Sequence, residues 1–109
     1  MTEKKIPMPF EVSRAALELG ENVRVARKRR RLLQAELAQK AGVGEKTIRR
    51  LENGDAGVAI GNVLSVLWAL GLLPTARVLA DPDLDEHGKT LDLVRLPKRI
   101  RHSVPDNDF

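Results

Sequence analysis

The sequence predicts an all-α fold, and three observations lead there. Apolar residues recur at three- and four-residue spacing through residues 12–80, the period of a helix with one buried face. Helix stops punctuate the same stretch: Asn53-Gly54 ends one segment, Gly71 another, and Pro74 suits the first turn of a third. Two short patterns at residues 34–41 and 45–52 lie close enough to be joined by a tight turn at Gly42-Val43-Gly44. Five helices are expected over residues 12–80, preceded by a flexible arm (residues 1–11) and followed by a C-terminal extension (residues 81–109).

The arm carries Pro7, Pro9 and three early charges. The first helix is expected from about Val12 to near Arg31. Ala16, Leu19, Val23 and Ala26 form its inner stripe, Ser13 is a candidate cap, and Gly20 is a weak point. Leu32 and Leu33 bridge to the second helix. There Leu37 and Ala38 share a face, and Ile48 and Leu51 share one on the third helix, so the two should cross with Val43 filling the corner. The fourth helix, residues 60–70, has an expected core stripe of Val63, Leu64, Leu67 and Trp68. Val66 and Leu70 flank it, giving an apolar surface wider than a small core needs, which suits either deep burial or a second copy of the chain. A fifth helix is expected over residues 74–79.

Composition narrows the class. The chain has 109 residues, one small domain plus tails, and 3% aromatics, so its core is aliphatic. It has no cysteine, which suits a reducing cytoplasm, and its N-terminus lacks the apolar run of a signal peptide. Residues 58–73 are apolar but too short to span a bilayer and are interrupted by Asn62 and Ser65. The net charge is only +4, yet six cations and no acid fall between Arg24 and Arg31. Beside a pair of crossed helices, that run is expected to face phosphates through Arg24, Lys28, Arg29 and Arg31.

The pair itself, residues 34–54, reads as a helix-turn-helix whose second helix carries Lys46, Arg49 and Arg50 outward, a size and charge that fit the major groove of DNA. It resembles the helix-turn-helix of the Cro/C1-type (XRE) family, and Gln34-Ala-Glu-Leu-Ala-Gln-Lys is similar to lambdoid phage repressors. The resemblance covers about residues 12–80 and implies a five-helix lambda-repressor-like DNA-binding domain. It also implies residue roles. Glu45, Lys46 and Arg50 would read bases; Arg50 and Lys46 can donate to guanine and Glu45 can accept from cytosine. Gln34 would contact the DNA backbone and brace the third helix, Thr47 and Arg49 would touch phosphates, and Arg27 with Glu52 would form a structural clip.

The segment from Asp55 to Leu72, with Val-Leu-Trp-Ala-Leu-Gly-Leu, and Arg95-Leu-Pro-Lys-Arg-Ile-Arg further along resemble HipB-like antitoxins. Those regulators are encoded beside HipA-like Ser/Thr kinase toxins. The resemblance implies a homodimer on an inverted-repeat operator, repression of its own operon, and a kinase partner held inactive. Arg95, Leu96, Lys98, Arg99, Ile100 and Arg101 are the docking candidates, because a basic arm for DNA needs no apolar anchors. A solvated tail and a DNA-following arm are the competing readings of that segment.

Three departures from the family pattern stand out. Leu33 occupies a position usually held by a polar cap, Gly44 replaces the cap of the third helix, and the loop after Gly54 supplies no cation. In the extension, Leu84, Leu91 and Val94 fit a helix face, whereas Leu91 and Leu93 equally suit a short strand. Residues 81–92 have the spacing of a calcium loop, but Glu86 replaces the glycine and Asp92 the final glutamate. A helix start with Asp83 and Glu86 as a capping pair is the simpler reading. His87 and His102 have no second ligand at metal spacing, and three serines without cysteine or tyrosine assemble no catalytic set. No enzyme activity, metal or cofactor is expected. A stand-alone regulator and a protein-bridging module on the same fold remain the alternatives.

Overall fold

Residues 7–95 are described by the computed structural model, and every regular element among them is helical. The chain divides into two units, Met1–Ala76 and Arg77–Phe109. The first holds α1 (Phe10–Arg29), α2 (Gln34–Ala41), α3 (Glu45–Glu52), α4 (Ile60–Ala69) and α5 (Leu73–Ala76).

Helix α1 starts two residues before the expected position. Pro9 is its N-cap residue, and the Pro9 carbonyl accepts from Val12 and Ser13 N–H at 3.0 and 3.2 Å, so Ser13 lies inside the helix instead of capping it. Residues 10–15 are all exposed, and burial begins only at Ala16 and Leu19. Gly20 neither starts nor breaks the helix. A Cβ there would run into the carbonyl oxygen of Leu51 and stand 2.9 Å from that of Glu52. Glycine in a helix interior costs about 1 kcal/mol relative to alanine; here it lets the backbones of α1 and α3 touch.

Four helix ends share one device: a residue in the left-handed region whose N–H, and that of its successor, fold back on the last turn. Gly42, Gly54 and Gly71 serve α2, α3 and α4, with φ of 72, 83 and 78°. In α1 the position belongs to Arg31, at φ 56°, with Arg31 N–H donating to Lys28 O at 3.0 Å and Leu32 N–H to Arg27 O at 3.2 Å. The uncapped start of α2 finds a partial substitute. Leu33 offers no acceptor, but its own N–H donates to Glu36 Oε1 at 2.7 Å.

The core contains Val23 and Ala26 of α1, Leu37, Ala38 and Ala41 of α2, Ile48 and Leu51 of α3, and Val66, Leu67 and Leu70 around α4, with Val43 packed against it from the turn. The expected stripe on α4 is corrected. Trp68 is 62% exposed, and the inward face runs through Val63, Val66, Leu67 and Leu70. Helix α4 contains no charged residue, so its sequence fits two registers about 100° apart, and packing selects the one that turns Trp68 outward. Helix α5 is a single turn, shorter than the expected residues 74–79. Residues 77–80 are turns with exposed side chains, so no burial extends the helix.

Among its described residues the second unit is helical, which settles the choice between helix and strand. A 3-10 turn (Pro82–Leu84) leads into α6 (Glu86–Arg95). The capping pair differs from expectation. Asp81 Oδ1 accepts from Asp83 N–H and Asp85 Oδ1 from Gly88 N–H, both at 2.9 Å, so the aspartates just outside each turn are the caps. No helix among the described residues is long and apolar enough to cross a membrane.

Candidate nucleic-acid interface

Helix α3 buries Ile48, Leu51 and Glu52 and leaves Glu45, Lys46, Arg49 and Arg50 exposed, with Thr47 half-buried beside them. The 3.6-residue period produces this split, placing the apolar side chains on α2 and the charged ones outward. Glu45 and Arg49 pair across one turn at 3.3 Å. Lys46 enters no ion pair among the described residues.

The inner end of α3 is tied down by a polar cluster. Arg27 Nε donates to Glu52 Oε2 at 2.7 Å and Arg27 Nη2 to Glu52 Oε1 at 2.9 Å, while Arg27 Nη1 reaches the Leu32 carbonyl at 2.9 Å. Gln34 Nε2 adds a third donor to Glu52, at 3.0 Å from Oε1. One buried carboxylate thus links α1, α2 and α3. Burial pushes the Glu52 carboxyl up, but the donors Arg27 and Gln34 and the charges of Arg27 and Arg24 outweigh it and leave it below its ordinary value. The hydrogen bond to Glu52 raises Arg27 against the opposing effect of burial.

The clip predicted at Arg27 and Glu52 is therefore present in the fold, and Gln34 occupies its bracing position. Arg24, also expected to face phosphates, is drawn partly toward Glu52 and Glu21. It is half-buried, with Nη2 donating to the Glu52 carbonyl at 3.4 Å and ion pairs to Glu52 and Glu21 at 3.7 and 3.8 Å. Lys28, Arg29 and Arg31 are exposed at the end of α1. Arg30 is exposed as well, with Nη1 donating to the Ala26 carbonyl at 2.8 Å.

Sequence reasoning missed Asp55. Its Oδ2 accepts from Arg50 Nε at 2.8 Å and its Oδ1 from Gly57 N–H at 2.7 Å. The hydrogen bond from Arg50, then that from Gly57, holds the Asp55 carboxyl below its ordinary value, and the same pair raises Arg50. The signal lay in the spacing. An arginine in the last turn of a helix and an acid just past its glycine stop are brought together by the turn.

Of the docking segment only Arg95 is described, as the exposed last residue of α6; Leu96, Lys98, Arg99, Ile100 and Arg101 lie outside the described residues.

Comparison with known proteins agrees with this geometry. A family described as a helix-turn-helix domain matches residues 18–80, which include α2, α3 and the clip. The chain is also similar to y4mF, described as an uncharacterized HTH-type transcriptional regulator, of Sinorhizobium fredii. The two are 48% identical over 54 residues, covering 50% of this chain and 71% of that one. No solved structure matches the chain significantly. The chain belongs to the helix-turn-helix domain family, with the XRE-like arrangement of a DNA-binding domain.

Proposed function

We propose that the protein is a sequence-specific transcriptional repressor that binds an inverted-repeat operator as a homodimer in the cytoplasm. The observation that carries this reading is α3: a short helix locked at its inner end by a buried clip, with Glu45, Lys46, Arg49 and Arg50 on its open face. Lys28, Arg29 and Arg31 provide a second cationic surface at the end of α1 for phosphates. The similarity to a relative named as a transcriptional regulator supports the same reading.

Within it, the resemblance to HipB-like antitoxins is the ground for a proposed partner, a HipA-like Ser/Thr kinase bound and held inactive, with the segment from Arg95 to Arg101 as its docking peptide. The protein itself has no catalytic role.

Fluorescence-anisotropy binding to the DNA upstream of its gene, against scrambled duplex over a salt series, tests the repressor reading. Selective, salt-steep binding is expected. Equal, weak binding to both duplexes would instead place the fold among protein-contacting modules. Co-expression with a kinase encoded beside it tests the partner: truncation before Arg95 should leave DNA selectivity intact and reduce kinase inhibition.

A further inference from the structure

We propose that Asp55, in the loop between α3 and α4, is a positioning residue that aims Arg50 and so sets base preference at one base pair of the DNA site. The inference rests on the reading that α3 enters the major groove.

Arg50 sits in the last turn of α3, exposed, on a side chain with several rotatable bonds. Left alone, it would lose that freedom on meeting a base. Asp55 removes much of it beforehand. The acid is fixed at two points of its own: its N–H donates to the Arg50 carbonyl at 3.0 Å, and its Oδ1 accepts from Gly57 N–H at 2.7 Å. The remaining oxygen, Oδ2, takes the Arg50 Nε–H at 2.8 Å. Only Nε is engaged. The two terminal nitrogens make no other hydrogen bond among the described residues, and they are the fork that fits guanine O6 and N7.

The charge of Asp55 favours this role. A carboxylate beside a DNA-facing helix repels phosphates and weakens binding to every sequence alike. Selectivity improves when the same carboxylate holds an arginine in a geometry that suits one base and fails others. The competing arrangement is a latch, in which Asp55 withholds Arg50 from DNA and merely lowers affinity.

Asp55→Asn separates these. Asparagine keeps an oxygen for Gly57 N–H but replaces the acceptor of Arg50 Nε by an amide NH2. Asp55→Ala removes both contacts. The full-length wild-type chain, both variants, Arg50→Ala and the Arg50→Ala/Asp55→Asn double variant would each select from a randomised duplex library, sequenced before and after selection.

Discrimination should fall about tenfold at one base pair in Asp55→Asn and at the same base pair in Arg50→Ala. The double variant should lose no more than Arg50→Ala, and affinity for non-selected duplex should hold or rise. A wild-type preference retained by Asp55→Asn, with affinity raised uniformly, would establish the latch and overturn the proposal. Loss confined to Asp55→Ala, with a lowered melting temperature, would reduce Asp55 to a turn residue and overturn it too. A wild-type chain that selects no sequence would be a separate result, removing the DNA-reading function and this role with it.

Discussion

Arg27 closes on both carboxylate oxygens of Glu52, at 2.7 and 2.9 Å, from a position 25 residues earlier in the chain. The Glu52 side chain is fully buried and that of Arg27 is 10% exposed, so the pair has little water to fall back on. Such a pair stabilises less than its short distances suggest, because both charges were desolvated to make it. Its value is directional: it fixes the end of α3 relative to α1, and Gln34 extends the constraint to α2.

Removing one partner should therefore cost more than removing both. Arg27→Met is expected to destabilise the protein by on the order of 3 kcal/mol in urea unfolding, since Glu52 keeps a buried charge with weaker partners. Arg27→Met with Glu52→Leu should recover a large part of that loss. Equal destabilisation by the single and double variants would show that the cost is packing and not stranded charge.

The same carboxyl predicts an acid-sensitive fold. Its value in the folded state lies below the ordinary 4.5, so in that interval the unfolded chain binds more protons and stability falls as pH falls. Wild-type stability should decline from about pH 4.5 downward through the folded value. Glu52→Gln, less stable at neutral pH, should show a flatter profile and approach the wild type below that window. Parallel profiles would assign the acid sensitivity to other carboxylates.

Gly20→Ala should destabilise, against helix propensity. Alanine favours a helix by about 1 kcal/mol over glycine, but its Cβ meets the carbonyl oxygens of Leu51 and Glu52, which are backbone and have little room to give. A net loss of about 1–3 kcal/mol and a displaced α3 are expected, read as a lower melting temperature and weaker DNA selectivity. A stabilised variant would show that α1 and α3 are not in backbone contact.

Arg31 is the one member of its structural set that is not glycine. Arg31→Gly should raise stability by up to about 1 kcal/mol by relieving the left-handed backbone. Combined with Arg29→Ala it should weaken binding to all DNA sequences and flatten the salt dependence by about two phosphate contacts. An unchanged salt slope would remove both residues from the phosphate-facing set.

Trp68 gives a direct optical test of the α4 register. As the single tryptophan and 62% exposed, it should emit at the wavelength of a hydrated indole and be readily quenched by acrylamide in the monomer. Blue-shifted, protected emission that persists on dilution would return Trp68 to the core. Protection that appears only at high protein concentration would place it between two copies.

Much of this fold was legible in the sequence because the strongest constraints are local. The bounds of α2 and α3 follow from period and from glycine stops, and the clip from the family resemblance at Arg27 and Glu52. Illegible features depended on what lies across space. Whether Trp68 or Val66 turns inward cannot be read from a helix whose polar residues are only Asn62 and Ser65 and which carries no charge. That Arg24 turns toward the Glu52 carbonyl, and that Gly20 is a contact point and not a break, required knowing where α3 ends. The Asp55–Arg50 pair is readable in principle, since both flank the same turn, but only once that turn is known to bring them together.

Helix α1 runs for 20 residues, yet residues 10–15 are all exposed and add nothing to the buried core. Their amides, from Val12 onward, have only helical hydrogen bonds for shelter, while the turns after Gly20 carry the buried Val23 and Ala26 of the core. Two lifetimes are therefore expected along one continuous rod. The leading turns should open and reclose many times for each global unfolding event, and deuterium should enter them by a route insensitive to any change at Glu52. The boundary is expected near the glycine at which the rod leans on α3, so cooperativity should end partway along a helix and not at a loop.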